Sequence, residues 1–145
     1  MSETTPMLLD LLKKSDGLLF LGANAADLAG LLRRIRDDLG VEPPGDYMDL
    51  LRHSDGVIAD GLTLYGSQPH SFDDMEMPDL VTANLERHDY RQDLAGFLLV
   101  GERDDDFVAY EVAGRLYWLI DRVSGDRMSS ASDLFSSISG LLQKA

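Results

Sequence analysis

The chain has 145 residues, 44% of them hydrophobic, and carries 13 Lys+Arg against 26 Asp+Glu for a net charge of −13. That length fits one domain with its own core, and that hydrophobic fraction excludes wholesale disorder. The acidic surface repels phosphate backbones and anionic lipid, so direct nucleic-acid and membrane partners are disfavoured and basic proteins favoured, against the plainer reading that the charge serves solubility. Cysteine is absent, which removes disulfides, thiolate chemistry and thiolate metal sites. Met1 to Pro6 has neither a basic nor an apolar leader region, and no apolar run reaches the ~20 residues of a membrane span, so a soluble cytoplasmic protein without cofactor is expected.

Thr5-Pro6 reads as a cap and first helical position. Leu8, Leu9, Leu11 and Leu12 form a stripe that Ser15-Asp16-Gly17 ends. Leu18 to Leu21 is too short for periodicity to assign, and reads as buried connection. Asn24 caps a second helix with Asp27 in its first turn, Leu28, Leu31, Leu32, Ile35 and Leu39 on one face, and Gly40 at its end. Arg33, Arg34 and Arg36 make a basic cluster, but Asp37 and Asp38 follow at once, so pairs such as Arg33 with Asp37 are expected on a solvated face. Val41 to Gly45 is a proline-stiffened linker.

The stretch Asp46 to Gly66 is the most patterned of the chain. Tyr47, Leu50 and Leu51 stand at helical spacing, and Ser54-Asp55-Gly56 ends that helix. Asp60-Gly61 is a tight hairpin turn between Val57-Ile58 and Leu62 to Tyr65, with Gly66 closing the second strand. Ser67 to Pro78 reads as a surface loop, and Pro78 opens a helix with Val81, Leu85 and His88 on one face and Leu80 and Asn84 beside it. Strands follow at 96–100, 107–112 and 115–121, joined closely enough to be antiparallel hairpins. Ser124-Gly125-Asp126 turns the chain, and Ser132-Asp133 caps a last helix with Leu134, Phe135, Ile138, Leu141 and Leu142 inside. These elements predict a single α+β domain over 1–145: N-terminal helices, an antiparallel meander and a C-terminal helix.

No catalytic or metal-binding pattern emerges. His53, His70 and His88 lack ligand spacing, no serine elbow or phosphate-binding glycine loop is present, and Asp104 to Asp106 lack the calcium-loop pattern. The expectation is therefore no catalytic, cofactor or metal residues, with an unpatterned carboxylate hydrolase as the weakest option. One positive feature remains. Between Phe72 and Asp93 seven acids face two arginines, and Met75, Met77 and Phe72 interleave with them. Adaptable apolar groups rimmed by charge suit a protein-binding surface, against the plainer reading that they anchor the loop. Asp73, Asp74, Glu76 and Asp79, with Glu102, Asp104, Asp105 and Asp106 of the later hairpin, are the candidate contacts.

The residues Pro44-Gly-Asp-Tyr47-Met-Asp-Leu-Leu51, Asp55-Gly56 and Asp60-Gly61-Leu62-Thr-Leu-Tyr65-Gly66 resemble the core motif of the SUKH superfamily, which includes fungal cell-wall assembly regulators and many bacterial immunity proteins. Asp79 to Asn84, Phe97 to Glu102, Val108 to Tyr110, Tyr117 to Arg122 and Ser124 to Asp126 fall in the order of its YrhA-like branch. The resemblance spans 42–142; residues 1–41 form a helical extension that carries little of it. Pro43 replaces the usual leucine and Asp55 the usual asparagine. The resemblance implies a non-catalytic α+β protein-binding domain in which Tyr47, Gly56, Gly61, Leu62, Tyr65 and Gly66 are structural. It further implies an immunity protein that neutralises a cognate toxin, such as a nuclease or deaminase, or else a cytosolic regulatory or scaffold domain without a toxin. A nuclease is basic where it meets substrate, so an acidic domain can occupy that surface.

Overall fold

In a computed structural model the structure describes residues 5–15, 17–72, 74–89 and 92–142. Its centre is α3, Gly45–His53, followed by the hairpin β2, Val57–Ala59, and β3, Leu62–Leu64. Tyr47, Leu50, Leu51, Leu62 and Leu64 are fully buried, as their spacing predicts. Asp60 at φ 50° and Gly61 at φ 82° both occupy the left-handed region, which matches the right-handed twist of the flanking strands. No heavy atom lies within 4 Å of where a Gly61 Cβ would sit, so strain alone opposes substitution. Gly61→Val and Gly61→Ala are therefore both expected to lower the unfolding free energy, by about 1–3 kcal/mol, in urea titrations. Unchanged midpoints would remove this account of the turn.

Among the described residues the main sheet has seven strands in the order β1 (Leu18–Leu19), β2, β3, β6 (Phe97–Glu102), β7 (Asp106–Glu111), β8 (Leu116–Asp121) and β9 (Arg127–Ala131), antiparallel throughout. The meander β6, Phe97–Glu102, β7, Asp106–Glu111, and β8, Leu116–Asp121, falls where alternating and buried runs place it. Two strands of this sheet were not expected. Leu18–Leu19 forms β1 against β2, and Leu21 is not buried but 93% exposed. Arg127–Ala131 forms edge strand β9 beside β8.

The helices form α1, Thr5–Lys14; α2, Ala25–Arg34; α4, Leu80–His88; and α5, Leu134–Leu142. Asn24 and Asp27 form a reciprocal capping box on α2, which continues as a π-helical turn over Ile35–Leu39 before Gly40. The expected Arg33–Asp37 pairing does not form. Arg36 binds Glu42 at 2.5 and 3.0 Å instead, and Arg34 reaches Asp79. Thr5 does not cap α1 through its side chain; its buried hydroxyl donates to Asp49 of α3 at 2.6 Å. Asp46 joins three elements, accepting from the Tyr117 hydroxyl at 2.6 Å and the Leu134 amide at 2.8 Å, at the start of α5. Leu8, Leu12, Leu31 and Ile35 of the N-terminal helices enter the same core as the sheet.

The face of α4 differs from its expected one. Asp79, not Pro78, stands at the helix cap, and Leu80, Val81, Ala83 and Asn84 are buried while Leu85 is exposed. Asn84 is the reason. Its amide donates to the Leu80 and Leu99 carbonyls at 2.9 Å each, and its oxygen accepts from the Leu99 amide at 2.8 Å. Register between β3 and β6 runs only through Glu102 and Gly101, so Leu99 lies beyond its reach. Asn84 supplies the ladder bonds that a neighbouring strand would have made.

Candidate protein-binding surface

Ser67 to Pro78 is not an irregular loop. It leaves and rejoins the core at one point, where Gly66 and Asp79 form an isolated parallel bridge and the Leu80 amide donates to the Gly66 carbonyl at 2.9 Å. Between them, β4, His70–Phe72, pairs antiparallel with β5, Met75–Met77. Asp74, at φ 64°, takes the left-handed conformation in the turn.

Asp55 tethers this hairpin. Its carboxylate is buried; one oxygen accepts from the Ser67 amide at 2.8 Å and the other meets His70 Nε2 at 2.9 Å. The His70 ring stacks on Phe20, with centroids 4.3 Å apart and planes 17° off parallel. Gln68 adds an exposed bond to Asp27 at 3.1 Å. The aspartate read as a turn residue thus orients the segment that carries the candidate contacts.

The three apolar residues of the hairpin divide. Met77 is buried and anchors β5, whereas Phe72 and Met75, directly opposite each other in register, are 50% and 44% exposed. Asp74 and Glu76 are exposed beside them, and neither enters an ion pair among the described residues. A cleft of about 470 Å³ beneath the hairpin is lined by Pro69, His70, Ser71, Met77, Glu76 and Glu86, the last from α4. Asp73 lies outside the described residues.

The other acids separate by role. Asp79 is 6% exposed; it accepts from the Thr82 amide at 3.2 Å and binds Arg34 at 3.0 Å, so it serves the start of α4 and not a partner. Glu102 is held by Arg87 at 3.1 Å and Arg122 at 3.4 Å, whose guanidinium groups also stand over the Phe107 ring. Burial first, and then the charge of Glu102, pushes the neighbouring Tyr65 hydroxyl well above its ordinary pKa. Asp106 is half-buried at the start of β7, while Asp104 and Asp105 are exposed at the hairpin tip. Helix α4 lies between the two acidic regions, because Glu86 lines the cleft and its neighbour Arg87 binds Glu102.

Sequence reasoning treated every acid of these segments alike. The distinction depends on Arg34, Arg87 and Arg122, which are distant in the chain and carry no local signal. Glu86, which the residue pattern did not single out, joins the surface through α4. Against known proteins, no family model matches the chain and no curated protein matches it in sequence.

Proposed function

We propose that this chain is a non-catalytic protein-binding domain, of the kind the SUKH resemblance suggests, which neutralises a basic toxin domain in the cytoplasm by occupying its charged face. The observation that supports this reading is the hairpin. Two large apolar side chains stand out from a small sheet, with Asp74 and Glu76 around them and a buried carboxylate fixing its base. An exposed aromatic offers contact area at little ordering cost, the methionine opposite it adapts to a partner's shape, and the unpaired acids steer a basic partner toward them. No helix among the described residues is long and apolar enough to cross a membrane.

The test is a pull-down with the tagged protein at low and then high salt, repeated with Asp74→Lys/Glu76→Lys and with Phe72→Ala. Recovery of one basic protein whose retention falls with salt is expected. Each charge reversal should weaken binding about tenfold, equivalent to about 1.4 kcal/mol. Unchanged affinity in the double variant would sink the hairpin as the contact surface. A neutral partner held independently of salt would favour a regulatory or scaffold role.

A further inference from the structure

We infer that the cleft between the hairpin and α4 is a socket for an arginine side chain of the protein partner, which deepens the protein-binding reading above and rests on it. The cleft takes carboxylates from two separate elements. Glu76 stands on β5 and Glu86 on α4; both are exposed, and neither enters an ion pair among the described residues. Pro69, Met77 and Pro78 give it apolar walls. Arg34 and Arg87, which approach residues beside the cleft, are committed elsewhere, to Asp79 at 3.0 Å and to Glu102 at 3.1 Å. No lysine or arginine among the described residues lines the cleft, so its carboxylates are left to a cation from outside the chain.

His70 adds a further acceptor. The Asp55 carboxylate can only accept, so the neutral imidazole carries its proton on Nε2 and leaves Nδ1 as an acceptor without a partner among the described residues. The stacked Phe20 ring and the buried carboxylate hold that imidazole in place at the cleft wall. Two carboxylates and a ring nitrogen, with one hydroxyl from Ser71, complement a guanidinium, whose five N–H donors lie in one plane and which accepts nothing. The apolar walls suit the methylene stem behind such a head group. An ammonium carries the same charge but gathers its donors at one point, so it serves acceptors on separate elements less well. The net charge of −13 acts in the same sense, drawing cations to this face. Arginine is also a residue on which interfaces concentrate their energy, and Phe72 and Met75 stand ready to cover the partner surface around it.

Titration of the full chain, methyl-labelled at methionine, with acetyl-arginine amide tests this by NMR at about pH 8, where an imidazole is neutral. The methyl of Met77, buried in the cleft wall, is expected to shift saturably, with a dissociation constant of about 1 mM for a ligand of this size. Acetyl-citrulline amide, of the same shape but uncharged, should leave it unmoved, and acetyl-lysine amide should bind more weakly. Glu76→Gln and Glu86→Gln should each weaken arginine about threefold, as the loss of one exposed ion pair does, with thermal melts unchanged because both side chains are exposed. The socket is overturned if no shift of Met77 saturates, if the citrulline or lysine amide binds as well as the arginine amide, or if both variants bind as the parent does. Its failure is separable from that of the protein-binding reading. A basic partner lost by the Asp74→Lys/Glu76→Lys protein but kept at parent affinity by Glu86→Gln would leave the hairpin as the contact surface and remove the socket. Arginine binding weakened in Glu86→Gln, with no basic protein recovered, would uphold the socket and count against the toxin.

Discussion

Replacing Asn84 by leucine is expected to lower the unfolding free energy by about 3 kcal/mol, with a fall in melting temperature of about 10 °C. The side chain is fully buried and makes three hydrogen bonds, two of them to Leu99, itself fully buried. Leucine conserves the volume and removes every bond. The Leu99 amide and carbonyl are then left without partners in a dry site, and an unsatisfied buried group costs about 1–3 kcal/mol. Aspartate in the same place would keep one acceptor for the Leu99 amide but bring a charge against two carbonyls, so it should be worse than leucine. Urea denaturation of the three proteins, with equal slopes, measures the effect. A leucine variant within 1 kcal/mol of the parent would show that β6 finds other partners at this point.

Gly66→Ala is expected to cost a similar amount, about 3 kcal/mol, for the opposite reason: an atom gained. Gly66 is the motif glycine whose need is space alone, whereas Gly56 is both crowded by Met77 and the Leu64 carbonyl and left-handed. Gly66 does not occupy a left-handed conformation, unlike Gly56 at φ 102° and Gly61 at φ 82°. A Cβ at Gly66 would collide with the Asp55 carbonyl oxygen and lie 2.8 Å from its carbon and 3.0 Å from its carboxyl carbon. These are backbone atoms and a buried tethered carboxylate, so nothing flexible can retreat. The substitution should also loosen the hairpin, because Asp55 holds both Ser67 and His70. Amide exchange would separate the two consequences. Faster exchange at Ser67 and across β4–β5, beyond that in the meander, is the expected pattern. Protection and stability equal to the parent would refute the close-approach reading.

What the sequence made legible is local. The capping box of α2, the Asp60-Gly61 turn, the buried meander and the start of α5 at Asp133 each depend on residues within a few positions of one another. What it hid depends on distance. The edge strand β9, Arg-Met-Ser-Ser-Ala, has no β-branched or aromatic residue, and its first four positions are exposed, so no alternation marks it. The hairpin β4–β5 turns at an aspartate in place of the usual glycine, within a run of acids that suggests coil. The phase of α4 misled because a leucine points outward and an asparagine inward, a choice made by the unpaired backbone of Leu99. Among the candidate contacts, Asp74, Glu76, Asp104 and Asp105 are exposed, whereas Asp79 and Glu102 are engaged in ion pairs. Charge counts could not make that separation.

The bridge between Gly66 and Asp79 has a consequence for how such a surface can change. Because the chain leaves and re-enters the core at adjacent points, the part of the hairpin beyond His70 and Met77 is a cassette whose length the core does not register. Doubling a flexible connection of this kind costs only about 0.6 kcal/mol in closure entropy. The residues that pin it, Asp55, His70, Met77 and Asp79, leave the tip from Ser71 to Glu76 open to rewriting. A lineage could thus rewrite the proposed contact surface by exchanging a few tip residues, with the sheet, its helices and their cooperative unfolding carried over intact.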